Sequence, residues 1–310
     1  MTAIKARPGE GPAIARSNRS FVVGGAPIPA APLNAGLYIV ATPIGNLADV
    51  TLRALAILAG ADLILAEDTR VSRKLLTRYG IETPLSRYHE HNAAEARPRA
   101  LRRIADGQAL ALISDAGTPL ISDPGYRLVA EAVAQGFAVT AAPGPSAALA
   151  ALCVAALPTD RFFFEGFLPP KRAARRERIN ALAAVPGTLI VYEAPGRLAE
   201  TLADLALELG PRPAAVAREL TKLHEELRRG ALDKLAAEYA GEEAPRGEIV
   251  IVVGAAQARP PVADDDLDRE IAELLAKLSV KDAAATIAAK HGLPRRQVYA
   301  RALALAGSAR

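Results

Sequence analysis

From Leu37 onward, short apolar runs alternate with longer stretches in which apolar residues recur every three or four positions. The first pattern predicts strands and the second helices. "LYIVA", "ADLILAE" and "ALALI" are strand-like. "DVTLRALAILAG" reads as a helix with Asp49 as N-cap and Gly60 as its stop, and "TRVSRKLLTRYG" as one ending at Gly80. "PLSRYHE" is a candidate short strand. Asn92 and Glu95 make a start like a capping box for a helix that Pro98 bends or delays. After "ALALI" come two tight turns, a helix through "GYRLVAEAVAQG", a strand in "FAVTAAPGPS" and a wholly apolar helix over 146–157. Strands alternating with helices predict an α/β domain with a largely parallel sheet over 36–157.

"ALPTD" reads as a hinge, beyond which the alternation resumes. "RFFFEGF", a basic helix, "GTLIVYEA", a helix to Gly210, "AAVAREL", a helical stretch and "GEIVIVVG" predict a second α/β domain over 158–255. A Pro-rich, acidic linker over 256–268 leads to a small helical unit, 269–306. There Ala284, Ile287 and Ala288 share one helical face, Gly292 turns the corner, and Val298, Leu303 and Leu305 continue on a second helix. This is the pattern of a helix-turn-helix, and equally of a helical hairpin docked on its own protein. Residues 1–35 carry no usable periodicity and read as a disordered leader.

Composition narrows the function classes. The chain has 310 residues, one cysteine and no tryptophan. A lone cysteine excludes a disulfide framework or zinc ribbon and points to a reducing, cytoplasmic setting. Cys153, inside "SAALAALCVAAL", is expected to be a small buried hydrophobe. No apolar stretch is long enough to span a membrane, and no metal site is expected. The net charge of +4 is modest, but Lys171, Arg172, Arg175 and Arg176 cluster in "KRAARRER". That run is either a plain exposed helix or a phosphate-contacting surface, which Arg295 and Arg296 in "PRRQVYAR" would extend.

Ligands of a parallel α/β sheet bind beyond the carboxyl ends of its strands. Three turns fall there: "TPIGN", "SDAGTP" and "APGPS". Each is short, stiffened by proline and opened by a glycine that leaves the backbone approachable. Asp123 and Ser146 also have the plain reading of helix caps. No G-x-G-x-x-G follows a strand and no P-loop is present, so the pattern indicates a small-molecule site of neither standard type. "AEDTR" places Glu67, Asp68 and Arg70 at another strand end, where Asp68 is either a reacting group or merely a cap.

Taken together, "YIVATPIGNLADVTLRAL", "AEDTR", "SDAGTPLISDPGYRLV", "PGPSA", "FEGFLPPK", "YEAPGRL", "ARELTKLHEE" and "RGEIVIVVG" resemble the RsmI-type 16S ribosomal RNA 2′-O-ribose methyltransferases of the tetrapyrrole-methylase superfamily. The resemblance runs from Leu37 to Gly254, and the terminal helical unit is similar to that family's extension. It implies two α/β domains of the class III methyltransferase type, with S-adenosylmethionine (SAM) held in the cleft between them. Carried over by motif, the cofactor residues are Pro43, Ser114, Asp115, Ala116, Gly117, Ser122, Asp123, Ser146, Tyr192, Ala217 and Gly247. The resemblance favours Glu67, Asp68 and Arg70 as catalytic residues without dividing their roles. It implies 16S rRNA in the small ribosomal subunit as substrate, a cytidine ribose as acceptor, and a homodimer. Two other readings compete: a tetrapyrrole C-methyltransferase on the same scaffold, and a non-catalytic nucleic-acid-binding protein.

Overall fold

The computed structural model describes residues 19–122, 125–256, 264–291 and 293–308. The first elements among the described residues form a hairpin, β1 (Ser20–Val23) and β2 (Ala26–Pro29). The expected leader is therefore corrected over 19–35, while residues 1–18 lie outside the described residues. Phe21 is buried in the first core, and Arg19 donates to the carbonyls of Gly60 and Ala61 at 2.8 and 2.6 Å. Those carbonyls end a helix and have no partner within it, so a cation satisfies them well.

The first sheet collects β3 (Gly36–Val40), β4 (Leu63–Ala66), β5 (Leu85–Arg87), β6 (Ala109–Ile113) and β7 (Val139–Ala142). Its order is β5-β4-β6-β3-β7, with every pairing parallel. The helices between strands are α1 (Leu52–Gly60), α2 (Thr69–Arg78), α3 (Ala93–Ala105) and α4 (Tyr126–Ala134). Val40, Ile64, Ala66, Ala111 and Ile113 face a core shared with α1 and α2. Their strand neighbours Leu37, Ile39, Leu65, Leu110 and Leu112 face a second core with α3 and α4. A sheet covered on both faces explains why its strands read as continuous apolar runs. Two caps differ from expectation. Thr51, not Asp49, caps α1, because its hydroxyl accepts from the Ala54 N–H at 3.1 Å. Asn92 makes no cap bond to α3, because its amide oxygen accepts from the His89 N–H at 2.9 Å instead.

α5 (Ala147–Val154) carries the chain across. The second sheet holds β8 (Phe162–Phe167), β9 (Thr188–Glu193), β10 (Pro213–Arg218), β11 (Glu226–Ala231) and β12 (Ile249–Val253), in the order β11-β10-β12-β9-β8. Only β8–β9 is parallel. Part of the expected helical stretch after β10 is thus the antiparallel strand β11. α6 (Arg172–Leu182), α7 (Leu198–Leu209) and α8 (Leu232–Ala240) cover one face. The other face receives α5, whose Ala148, Ala151 and Leu152 pack against Ile190, Ala215, Ala217, Val250 and Val252. A helix assigned by sequence to the first domain thus buries its face on the second sheet, and the two halves form one compact unit ending at Ala256. Cys153 falls on the opposite side of α5 and is exposed, contrary to expectation.

The first described element of the second unit is α9 (Asp264–Leu275), so a helix lies partly inside the expected linker. α10 (Val280–His291) and α11 (Arg295–Ser308) follow. Leu267, Ile271, Ala284, Ile287, Ala288, Val298 and Ala302 form its core, whereas Leu303 is exposed. Ser279 starts α10, its hydroxyl accepting from the Asp282 N–H at 3.2 Å. Asp268 pairs with Arg301, and Glu270 with Lys290 and His291. Arg295 and Arg296 lie exposed at the start of α11. No helix among the described residues is long and apolar enough to cross a membrane.

Candidate active site

Every strand of the first sheet runs the same way, so the loops after β3, β6 and β7 leave from one edge. Two of them are stitched together there. Thr42 donates its N–H to the Gly117 carbonyl at 2.8 Å, and Gly117 returns the bond to Thr42 at 3.0 Å. The Ser114 hydroxyl is spent inside its own loop on the Ala116 and Gly117 carbonyls. The Thr118 hydroxyl donates to the Pro145 carbonyl at 3.0 Å, tying in the third turn. Beyond these ties the loop takes costly backbone: Leu120 has φ 75° and Ser122 φ 61°. Side-chain-bearing residues occupy that region at a cost of about 1–3 kcal/mol each and persist where the surroundings hold them. "SDAGTPLIS" is therefore a braced wall.

This wall faces the second sheet across a cavity of about 370 Å³. Ala116, Gly117, Ser122 and Ser146 contribute from the first half; Tyr192, Phe167, Pro195 and Gly247 contribute from the second. Phe167 and Phe164 both meet the Tyr192 ring edge to face, at centroid distances of 5.6 and 4.9 Å. Glu193, at the end of β9, is buried and fully engaged. It accepts from the Ala194 N–H at 2.7 Å, from the Thr201 hydroxyl at 2.5 Å and from Arg197. Arg197 also reaches the Leu168 carbonyl at 2.9 Å, so one ion pair fixes the ends of β8 and β9.

A smaller cavity of about 200 Å³ adjoins the first, sharing Ile44, Ala116 and Glu248. Pro43, Ser114, Asp115, Lys74 and Lys222 line it. Lys222 sits on a turn with Glu219 at φ 51° and Thr221 at φ 66°. Its ammonium donates to Glu219 at 2.7 Å and Glu248 at 3.1 Å, which holds the Glu219 carboxyl below its ordinary range. The Lys222 stem lies where a side chain on Gly45 would be, and Glu219 likewise fills the space beside Gly247. Both glycines also have positive φ; the bareness of Gly45 lets Lys222 of the second half reach the first, and that of Gly247 makes room for Glu219 within the second half.

Behind the second cavity is an acidic cluster. The Asp115 carboxylate accepts from the Asp68 N–H at 2.9 Å, which joins the ends of β6 and β4. Burial and the nearby Asp115 raise the half-buried Glu67 carboxyl above its ordinary value. Asp68 goes the other way, to about 2, through hydrogen bonds from the Arg70 side chain and N–H. It caps α2 and grips the Arg70 guanidinium, whose side chain is 84% exposed. None of Glu67, Asp68 and Arg70 lines either cavity. Asp68 and Arg70, expected to be catalytic, are paired with each other at a helix start. His89 and His91 stand edge to face at 6.0 Å, and no group of three or more His, Cys, Asp or Glu residues among the described residues is placed to hold a metal ion.

The other expected residues divide. Ala217 lines neither cavity and is buried under α5. Asp123 lies outside the described residues. Arg175 is 1% exposed, with Asp204 at 2.8 Å and Glu200 at 3.2 Å. It therefore contacts no phosphate, a correction that follows from burying a cation beside its carboxylates. Arg172 shares Asp204, and Arg176 pairs with Glu208 at 2.6 Å; Lys171 is exposed. Sequence reasoning missed Phe167, Glu193, Glu248 and Lys74, whereas Lys222 stands in the "RELTKLHEE" stretch that it singled out. "FEGF", "YEAP" and "GEIV" flank the recognised positions, but only the fold turns them toward one space.

The first cavity fits SAM on chemical grounds. Its walls are mainly apolar and aromatic with a few convergent polar groups, as small-molecule sites usually are. Two carboxylates line it, Glu193 and Glu248, and no lysine or arginine does so among the described residues. Glu193 is paired with Arg197 and Glu248 with Lys222, cations that do not line the slot, so its own lining presents no positive charge to repel a ligand carrying a sulfonium.

The family model described as tetrapyrrole (corrin/porphyrin) methylases matches residues 36–236, and that of the RsmI C-terminal HTH domain matches 261–306. A protein of Mesorhizobium japonicum named ribosomal RNA small subunit methyltransferase I is 53% identical over 92% of this chain and 97% of its own length. A protein of the same name from Xylella fastidiosa is 50% identical over 85% of this chain and 97% of its own. Among solved structures, a diphthine synthase superposes with a TM-score of 0.56 at 13% identity, covering 70% of this chain and 89% of its own, a likeness of fold alone. The chain belongs to the tetrapyrrole methylase family, within the group that carries the RsmI C-terminal domain.

Proposed function

We propose that the chain is a SAM-dependent methyltransferase that modifies the 2′-hydroxyl of a cytidine ribose in 16S rRNA of the small ribosomal subunit. The observation carrying this reading is the pair of adjoining cavities. One is acid-lined and free of lysine and arginine; the other holds Asp115 in front of Glu67 and carries two lysines. The names of the relatives support the substrate. When bound, SAM supplies an electrophilic methyl group, so the chain has chiefly to align the acceptor and manage one proton. Residues of the braced wall, Ala116, Gly117 and Ser122, hold the cofactor with Ser146, Tyr192 and Gly247.

A ribose hydroxyl attacks well only as its proton leaves. Asp115 lies on the second cavity's wall and takes that proton; Glu67, whose carboxyl is raised by burial and by Asp115, backs it. Arg70 and Asp68 fix the start of α2. Arg295 and Arg296 on α11 supply phosphate contacts, and Lys171, Arg172 and Arg176 keep only a peripheral part in RNA binding. The enzyme works as a homodimer in the cytoplasm, where a size measurement in solution tests the pairing. The decisive experiment incubates small subunits from a strain lacking the modification with labelled SAM and maps the methylated ribose. Label in a cytidine 2′-O-methyl supports the reading. Label on a tetrapyrrole, or none, overturns it.

A further inference from the structure

Most of the arginines expected to meet RNA are held by carboxylates, which leaves open what receives the acceptor's phosphates near the reacting sugar. Resting on the function proposed above, we infer that the smaller cavity seats the acceptor nucleotide and that Lys74 and Lys222 clamp the phosphates flanking its ribose.

Four observations carry this. Both lysines line the same cavity, Lys74 from α2 in the first half and Lys222 from the turn after β10 in the second. A nucleotide between them would therefore be gripped from both sides of the cleft. Asp115 lies on the same wall, so a sugar seated there has a proton acceptor beside it. The cavity joins the larger one through Ile44, Ala116 and Glu248, which gives a short path between donor and acceptor. Finally, the charges are available. Lys74 is exposed and has no carboxylate within ion-pair reach among the described residues. Lys222 is held at 3.1 Å by Glu248, whose side chain is 70% exposed. Such a solvent-facing pair is weak, so a phosphate can replace Glu248 while Glu219 keeps the ammonium in place.

The Lys222 turn also explains why a long side chain is used. Its stem lies over Gly45, so the head is carried from the second half onto the first, at the rim of the acceptor seat. Methionine keeps that stem and removes only the charge, which makes K222M and K74M the informative variants.

The test measures steady-state methylation of small subunits over a range of salt, with calorimetric binding of S-adenosylhomocysteine in parallel. Each variant is expected to raise KM for the subunit roughly tenfold or more, the effect of losing one charge-assisted bond. The salt slope of binding should fall by about 0.7 for each single-strand phosphate contact removed. At saturation kcat should stay near the parent value, and S-adenosylhomocysteine affinity should not move. K234M, on exposed α8 surface lining neither cavity, controls for general loss of positive charge. If KM and salt slope are unchanged in both variants, or if cofactor affinity falls by the same factor as subunit binding, the inference is wrong. Should K222M fail to fold by thermal melting, K74M decides alone. If the parent enzyme itself methylates no subunit, the function proposed above fails; if it does and the variants match it, only the lysine clamp fails.

Discussion

The two sheets reach the same cleft by opposite means. In the first, five parallel strands send all their carboxyl-terminal loops to one edge, and three of those loops are cross-tied there by Thr42, Gly117 and Thr118. In the second, β9, β10 and β12 are antiparallel neighbours, with Ile249 opposite both Glu193 and Arg218. The start of β12 therefore lies beside the ends of β9 and β10. Gly247 and Glu248 enter the site from before a strand, and Glu193 from after one. The parallel sheet concentrates chemistry in strained loops, while the mixed sheet supplies a rigid opposite wall anchored by buried ion pairs.

Substitutions on the two sides should separate chemistry from scaffolding. D115N is expected to lower kcat by about 10²–10⁴-fold, the usual worth of a positioned proton acceptor, with little change in thermal stability. An equal fall in the melting midpoint would show that Asp115 merely ties β6 to β4. On the other side, R175A leaves Asp204 buried and short of a partner, and should cost about 3–5 kcal/mol in denaturant unfolding while sparing kcat of the folded fraction. The Glu67 carboxyl is raised, so it loses its proton later than an ordinary glutamate as pH climbs. Activity should rise with pH through a limb above the ordinary value of 4.5, and E67Q should abolish that limb. The same shift means that Glu67's contribution to stability is present at low pH and lost as pH rises through its folded-state pKa. Smallest of all, R176A breaks a partly exposed pair with Glu208 and should change stability by less than about 1 kcal/mol.

The contrast also marks how much was legible beforehand. Parallel strands covered on both faces leave continuous apolar runs, so β3, β4 and β6 stand out in the sequence, as do the glycine- and proline-bearing turns beyond them. β11 does not: "ELRRGA" carries two arginines and is only partly buried, so it lacks an apolar signature. The hairpin before Gly36 was hidden for the same reason, since only Phe21 in it is buried among residues rich in glycine and proline. Charge was the poorest guide. "KRAARRER" looks like a free basic face, yet its partners Asp204, Glu200 and Glu208 lie far along the chain, and no local pattern reveals them. Lys74 and Lys222, isolated in sequence, share a cavity only because the halves close.

That amino-terminal hairpin bears on where the catalytic body can be cut. A recombinant fragment beginning at Gly36, where the methylase family match starts, would pull Phe21 out from under α1 and strip Arg19 from the carbonyls that end it. Such a truncation would leave a hole in the first core and two unsatisfied acceptors at its rim. Trimming by homology would thus manufacture a weakened protein, and any protease that nicked between β2 and β3 would be attacking a structural clasp.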